Sequence, residues 1–105
     1  MEIKSQSFRM GQTMLTRQVN SYINQIANFN LFLKQCLEKH KSCDWGDCCK
    51  SDWKDNDASI EIGERILSVY NLPSDFQKII NRDTKIWIIT ERDRSATTVL
   101  FPSEY

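Results

Sequence analysis

The sequence predicts one α+β domain over residues 1–105, an antiparallel meander of three to four strands covered by N-terminal helices. Three observations lead there. Residues 84–105, TKIWIITERDRSATTVLFPSEY, read as two strands at about 85–90 and 97–101 around an all-polar loop, 91–95. Residues 17–40 carry apolar side chains at helical period. The chain has 105 residues, 40% hydrophobic and 27% charged, with only three Gly and two Pro, which suits one ordered domain with a modest core.

Taken in order, residues 1–9 offer only Ile3 and Phe8 as large apolar groups and are expected to be poorly ordered. Residues 10–15 form a short strand candidate whose alternate positions are not clearly sorted, and Thr16 can cap the helix that follows. Val19, Tyr22, Ile23 and Ile26 make one apolar stripe, continued by Phe29, Phe32, Leu33, Cys36, Leu37 and His40. Asn28 and Asn30 interrupt it with weak helix formers. Two helices, about 17–26 and 29–41, are expected, with one continuous helix as the alternative. The stripe reads as core in preference to a cofactor or partner-helix face.

After a turn at 41–46, Asp44 or Ser51 is placed to cap a helix at about 47–62 bearing Trp53, Ala58, Ile60 and Ile62. Gly63 stands where a left-handed residue ends a helix. Residues 65–70 make a strand with Ile66 and Tyr70 on one face and Leu67 and Val69 on the other. Residues 76–81 form at most one helical turn before 85–90. There Ile86 and Ile88 point one way and Trp87 and Ile89 the other, so both faces are apolar, as in a central strand.

Charge sets further bounds. Formal net charge is zero, which removes any global basic field for nucleic acid. The distribution is uneven: residues 1–41 carry net +4, residues 42–64 net −5 and residues 65–105 net +1. A charge run of this kind is usually the solvated face of a helix. The N-terminus lacks the apolar centre of a signal peptide and no run is long enough for a bilayer, so a cytoplasmic protein with reduced thiols and no membrane association is expected.

Candidate chemistry is sparse. Cys36, His40, Cys43, Cys48 and Cys49 invite a zinc reading, but all lie in one local segment with no second ligand pair elsewhere. Cys36 and one of Cys48 or Cys49 read instead as small buried hydrophobes, and no metal or cofactor is expected. His40, the only histidine, sits near a helix end where the dipole favours a cation. Nothing local supports a Cys49–His40 thiolate pair, and the three glycines form no phosphate loop, so no enzyme is expected. Arg92, Arg94 and Ser95 can grip a phosphate, although pairing with Glu91 and Asp93 is the favoured reading. Asp44, Trp45, Gly46 and Asp47, followed by Asp52, Asn56 and Asp57, read as a capped helix entry and do not fit a calcium loop.

On these residues the chain resembles a family of short bacterial plasmid-related proteins of unknown function, found on plasmids, integrative elements and prophages. The resemblance rests on Asp44, Trp45, Gly46, Asp47, Cys49, Asp52, Asn56 and Asp57, then Gly63, Arg65, Leu67, Ser68 and Tyr70. It continues through 85–91, 93–95, Thr97, Thr98, Leu100, Pro102 and Tyr105. Cys43 and Cys48 depart from it, and 73–82 lengthens a loop. It implies no enzyme activity. It implies a mobile-element setting, in which small accessory proteins blunt host defences, some as anti-CRISPR inhibitors.

Two working functions follow. The first is a non-catalytic inhibitor that binds a host defence nuclease or ribonucleoprotein through Asp44, Trp45, Asp47, Asp52, Asp55 and Asp57, with nucleic acid reached through that partner. The second is a nucleic-acid-binding accessory of plasmid maintenance or transfer that uses Arg92, Arg94 and Ser95.

Overall fold

The structure, a computed structural model, describes residues 8–105. Along the chain run β1 (Gln12–Leu15), α1 (Arg17–Ile23), α2 (Phe29–Lys41), α3 (Lys50–Ile62), β2 (Ile66–Asn71), α4 (Ser74–Gln77), β3 (Lys85–Thr90), β4 (Ala96–Leu100) and a closing 3-10 turn, Pro102–Glu104. The fold is α+β. β2, β3 and β4 form the expected antiparallel meander, and the four-stranded sheet has the order β1-β4-β3-β2. The fourth strand differs from expectation: β1 lies parallel to β4, with Gln12 opposite Ala96 and Leu15 opposite Val99. Of the poorly ordered start expected at 1–9, residues 1–7 lie outside the described residues. Phe8 packs edge-on against His40, their ring centres 5.3 Å apart.

Strand alternation sorts the sheet into two faces. Ile66, Ser68 and Tyr70 stand opposite Thr90, Ile88 and Ile86 in register, and Thr97 and Val99 extend the same face on β4. α1 and α2 cover this inner face, with Val19, Phe29, Leu33 and Cys36 packed against Tyr70, Ile86, Ile88 and Val99 in one cluster. Each such buried Val, Leu, Ile or Phe side chain contributes about 1.5–3 kcal/mol. The outer face carries Leu67, Val69, Trp87, Ile89, Thr98 and Leu100. It is only partly covered: Trp87 is half-buried, while Ile89 and Leu100 are buried. Tyr105 stacks edge-on to Trp87 at 5.6 Å and accepts a 2.6 Å hydrogen bond from Arg65 on its phenol oxygen, drawing the chain end over this face.

The two expected helices are separate, and α2 starts at 29 as expected, but the first ends three residues before the expected 26. α1 stops at Ile23, and Asn28 adopts φ 69° at the entrance to α2. Thr16 caps α1 as expected, accepting from the Val19 amide at 3.5 Å. Gly63 ends α3 in the left-handed conformation at φ 75°. The start of α3 needs correction. It begins at Lys50 with Cys49 as its cap residue and no side-chain cap bond, so neither Asp44 nor Ser51 caps it. Residues 45–47 lie alongside β2 and are therefore unavailable to a helix: Val69 donates to the Trp45 carbonyl at 3.2 Å and Asp47 donates to the Val69 carbonyl at 2.6 Å. α4 also starts earlier than the expected 76–81, directly after Pro73.

Candidate functional site

The most ordered polar chemistry lies inside the molecule. His40 is fully buried, with Nδ1 against the Ser68 hydroxyl and Nε2 2.8 Å from the Thr90 hydroxyl. Thr90 Oγ1 is 2.7 Å from Thr97 Oγ1, and Thr97 Oγ1 donates to the Met10 carbonyl at 2.6 Å. The last bond orients the whole chain, because a carbonyl can only accept. Thr97 therefore accepts from Thr90, Thr90 accepts from His40 Nε2–H, and Nδ1 accepts from Ser68. The imidazole is neutral with its proton on Nε2. Burial holds it there, pushing the His40 pKa down from 6.5 to about 3. The helix-end cation expected at His40 is thus corrected: no carboxylate among the described residues offsets its burial, and desolvation outweighs the dipole. Phe8 and Trp45 close over the ring from two sides.

The acidic segment is built into the outer edge of β2. In an antiparallel strand alternate residues point their amides away from the neighbour, and here those are Leu67, Val69 and Asn71. Asn56, buried on α3, donates Nδ2 to the Leu67 carbonyl at 2.7 Å and accepts from the Leu67 amide at 3.2 Å. The 45–47 segment serves Val69, and Asp47 Oδ2 accepts from the Asn71 amide at 2.8 Å. Gly46 permits this approach: its φ is 76° and a Cβ there would stand 2.2 Å from the Val69 oxygen. Trp45 is fully buried and donates its indole N–H to Asp57 at 2.9 Å. Asp44 accepts from the Gly46 amide at 3.1 Å, and its carbonyl accepts from the Tyr70 hydroxyl at 2.7 Å.

Of the residues expected to meet a partner, Trp45 therefore offers no surface. Asp44, Asp47 and Asp57 are exposed but hold local structure, whereas Asp52 and Asp55 are exposed and enter no ion pair among the described residues.

Loop 91–95 is tied to the end of α3. Arg94, at φ 62°, donates to the carbonyls of Ser59 at 2.9 Å, Glu64 at 2.7 Å and Glu91 at 3.1 Å. A guanidinium beside the carbonyl end of a helix complements its dipole. Arg92 pairs with Glu64 at 3.0 Å. Asp93 accepts from the Ser95 amide and hydroxyl, which pulls its pKa down. The loop is satisfied, as the sequence suggested, but Arg92 and Arg94 bind α3 and its exit in place of the neighbouring carboxylates.

The cysteines do not converge. Cys36 is buried on the inner side of α2, and burial raises its pKa to about 12. Cys48 is half-buried, its thiol donating to the carbonyls of Trp45 and Leu67, and Cys49 is exposed. Among the described residues no group of three His, Cys, Asp or Glu side chains is placed to hold a metal ion. No described helix is long and apolar enough to cross a membrane.

One cleft of about 600 Å³ opens on the outer face. Asp47, Cys49 and Asp52 line it from the start of α3, and Arg82 and Lys85 from the approach to β3; Trp87 and Val69 belong to the strands between. Asp83, beside it, is held by the Ser103 amide and hydroxyl at 3.1 and 2.7 Å. The opposite charges lining the cleft form no ion pair with each other among the described residues.

Sequence reasoning missed Asn56, Ser68, Thr90 and Thr97 as structural polar groups. A signal existed for two of them. Ser68 and Thr90 share the strand parity of Ile66 and Ile88, and a polar residue on a buried face must find a partner. Asn56 carried no such mark beyond being a weak helix former inside a helix.

Comparison of the chain with protein-family models, with curated proteins and with solved structures finds no match.

Proposed function

We propose that this chain is a non-catalytic accessory protein of a bacterial mobile element. In this reading it acts in the cytoplasm as an inhibitor of the anti-CRISPR kind. It binds a host defence nuclease or its guide RNA complex through the first turns of α3 and the adjoining cleft. The observation that carries the reading is the pair Asp52 and Asp55: both are exposed and outside any ion pair among the described residues, and Asp52 lines a cleft that also holds the half-buried indole of Trp87. Exposed carboxylates without internal partners steer a protein toward a basic channel and compete there with phosphates. A partly exposed tryptophan is the kind of anchor that dominates binding energy at interfaces. Asp44, Asp47 and Asp57 add charge at positions held by their own hydrogen bonds.

Direct binding of nucleic acid through Arg92, Arg94 and Ser95 has less support, because all three side chains are engaged by α3 or their own loop. The test is reconstitution with purified host nuclease–guide complexes, comparing wild type with the Asp52→Lys/Asp55→Lys double variant. The double reversal is expected to weaken binding at least about tenfold while the unfolding midpoint stays within the range of an ordinary surface change. Equal binding by the two proteins removes the acidic surface. Absence of association or inhibition with every such complex removes the target class.

A further inference from the structure

We infer that β1 is a self-association edge: two copies of this chain pair their β1 strands antiparallel about a two-fold axis at Met14 and join their sheets into one. The inference is independent of the function proposed above. It starts from hydrogen-bond parity. The Gln12 amide donates to the Ser95 carbonyl at 3.0 Å and the Thr16 amide to the Val99 carbonyl at 3.2 Å, so the even-numbered residues of β1 bond to β4. Thr13 and Leu15 consequently point both their N–H and C=O groups away from the sheet. All four residues of β1 are exposed, and Met14 and Leu15 are among the few large apolar side chains left 47% and 38% accessible.

Apart from its shortness, the open edge lacks the usual protection by charge or proline. Gln-Thr-Met-Leu contains no charge and no proline. The sheet's other edge, along β2, is closed by its own chain through Asn56, Trp45 and Asp47.

The occupant that this edge fits is itself. With Thr13 of one copy opposite Leu15 of the other, both pairs exchange N–H···O bonds, and Met14 stands opposite Met14 as the non-hydrogen-bonded pair on the axis. No other register of so short a strand uses both outward residues of each copy. Met14 shares its face with Thr98, so the two thioethers meet over the outer face and cover each other's exposed surface.

The experiment is sedimentation of the full chain with three variants. Wild type is expected to show the mass of two chains at roughly 100 µM. Thr13→Pro removes one outward N–H per copy and leaves the β4 ladder intact, since an edge proline is tolerated where its N–H faces outward. It is expected to lose the dimer while unfolding as cooperatively as wild type. Met14→Cys, made in a Cys49→Ser background, should give a disulfide-linked dimer on mild oxidation, because the two Cα atoms of the axial pair stand about 4.5 Å apart. Gln12→Cys in the same background should not.

A monomer at all concentrations overturns the inference. So does a dimer that survives Thr13→Pro and is not trapped by Met14→Cys, since it uses another surface. A monomer whose Thr13 and Leu15 amides become protected from exchange only on adding a foreign protein also overturns it, and assigns the edge to that protein's strand.

Discussion

Along β2 the outward groups of Leu67 and Val69 and the outward amide of Asn71 each meet a partner from the same chain, whereas along β1 Thr13 and Leu15 present theirs outward. The two edges belong to one sheet and have similar backbones. What separates them is the segment beside them. The β2 edge has Trp45, Gly46, Asp47 and Asn56, and most of their polar capacity goes into imitating a missing strand. β1 comes directly before α1 and has no such segment among the described residues. An edge can thus be finished with side chains and an extended loop at the expense of surface, or left open for another strand.

The comparison is broken most severely at Trp45. Replacement by Ala removes a fully buried indole that holds the 45–47 segment on β2, closes over His40 and engages Asp57, and should cost about 4 kcal/mol in chemical denaturation. A loss near 1 kcal/mol would mean that the segment does not depend on this anchor.

Acid should act on the same region. The His40 pKa is about 3 in the folded protein against an ordinary 6.5. Below pH 6.5 the unfolded chain binds a proton that the folded chain refuses, so this stability is complete above 6.5 and falls as pH drops toward 3. The expected slope is about 1.4 kcal/mol per pH unit, on the order of 4 kcal/mol in all. Measured as denaturation midpoints from pH 7 to 4, that part of the slope should vanish in His40→Asn. An unchanged slope in the variant would show that the imidazole is not held neutral.

Asn56→Ala sharpens the edge comparison itself. It strips the Leu67 amide of its partner, leaves the Leu67 carbonyl only the Cys48 thiol, and should cost about 2 kcal/mol, with faster exchange of the Leu67 amide. Thr13→Ala, on the open edge, should stay within about 0.5 kcal/mol at concentrations where the protein is monomeric. Equal costs at the two edges would cancel the contrast. The smallest effect is expected at Arg92: its pair with Glu64 is exposed on both sides, and Arg92→Ala should cost less than about 0.5 kcal/mol in the same assay.

The residues singled out in the sequence take on a physical meaning here. Trp45, Gly46, Asp47, Asn56 and Asp57 close the β2 edge, Ser68 orders His40, Arg94 closes α3, and Arg65 holds Tyr105. Most of the pattern describes a fold. Asp52, Cys49, Lys85 and Trp87 are the members that the interior leaves to the cleft.

The sequence by itself determined the local elements. Period and composition set the helix pair and the start of its second helix, the strands expected at 65–70 and 85–90 to within a residue, and the glycine that ends α3, because each depends on neighbours within a few residues. Tertiary structure decided what those elements mean together. His40 reaches Thr90 50 positions away, Asn56 finds Leu67 across a turn, and β1 meets β4 from the far end of the chain, in parallel. Such pairings arise from which surfaces the sheet brings together. That is why a run of carboxylates read as a free acidic face became, in large part, the edge of a sheet.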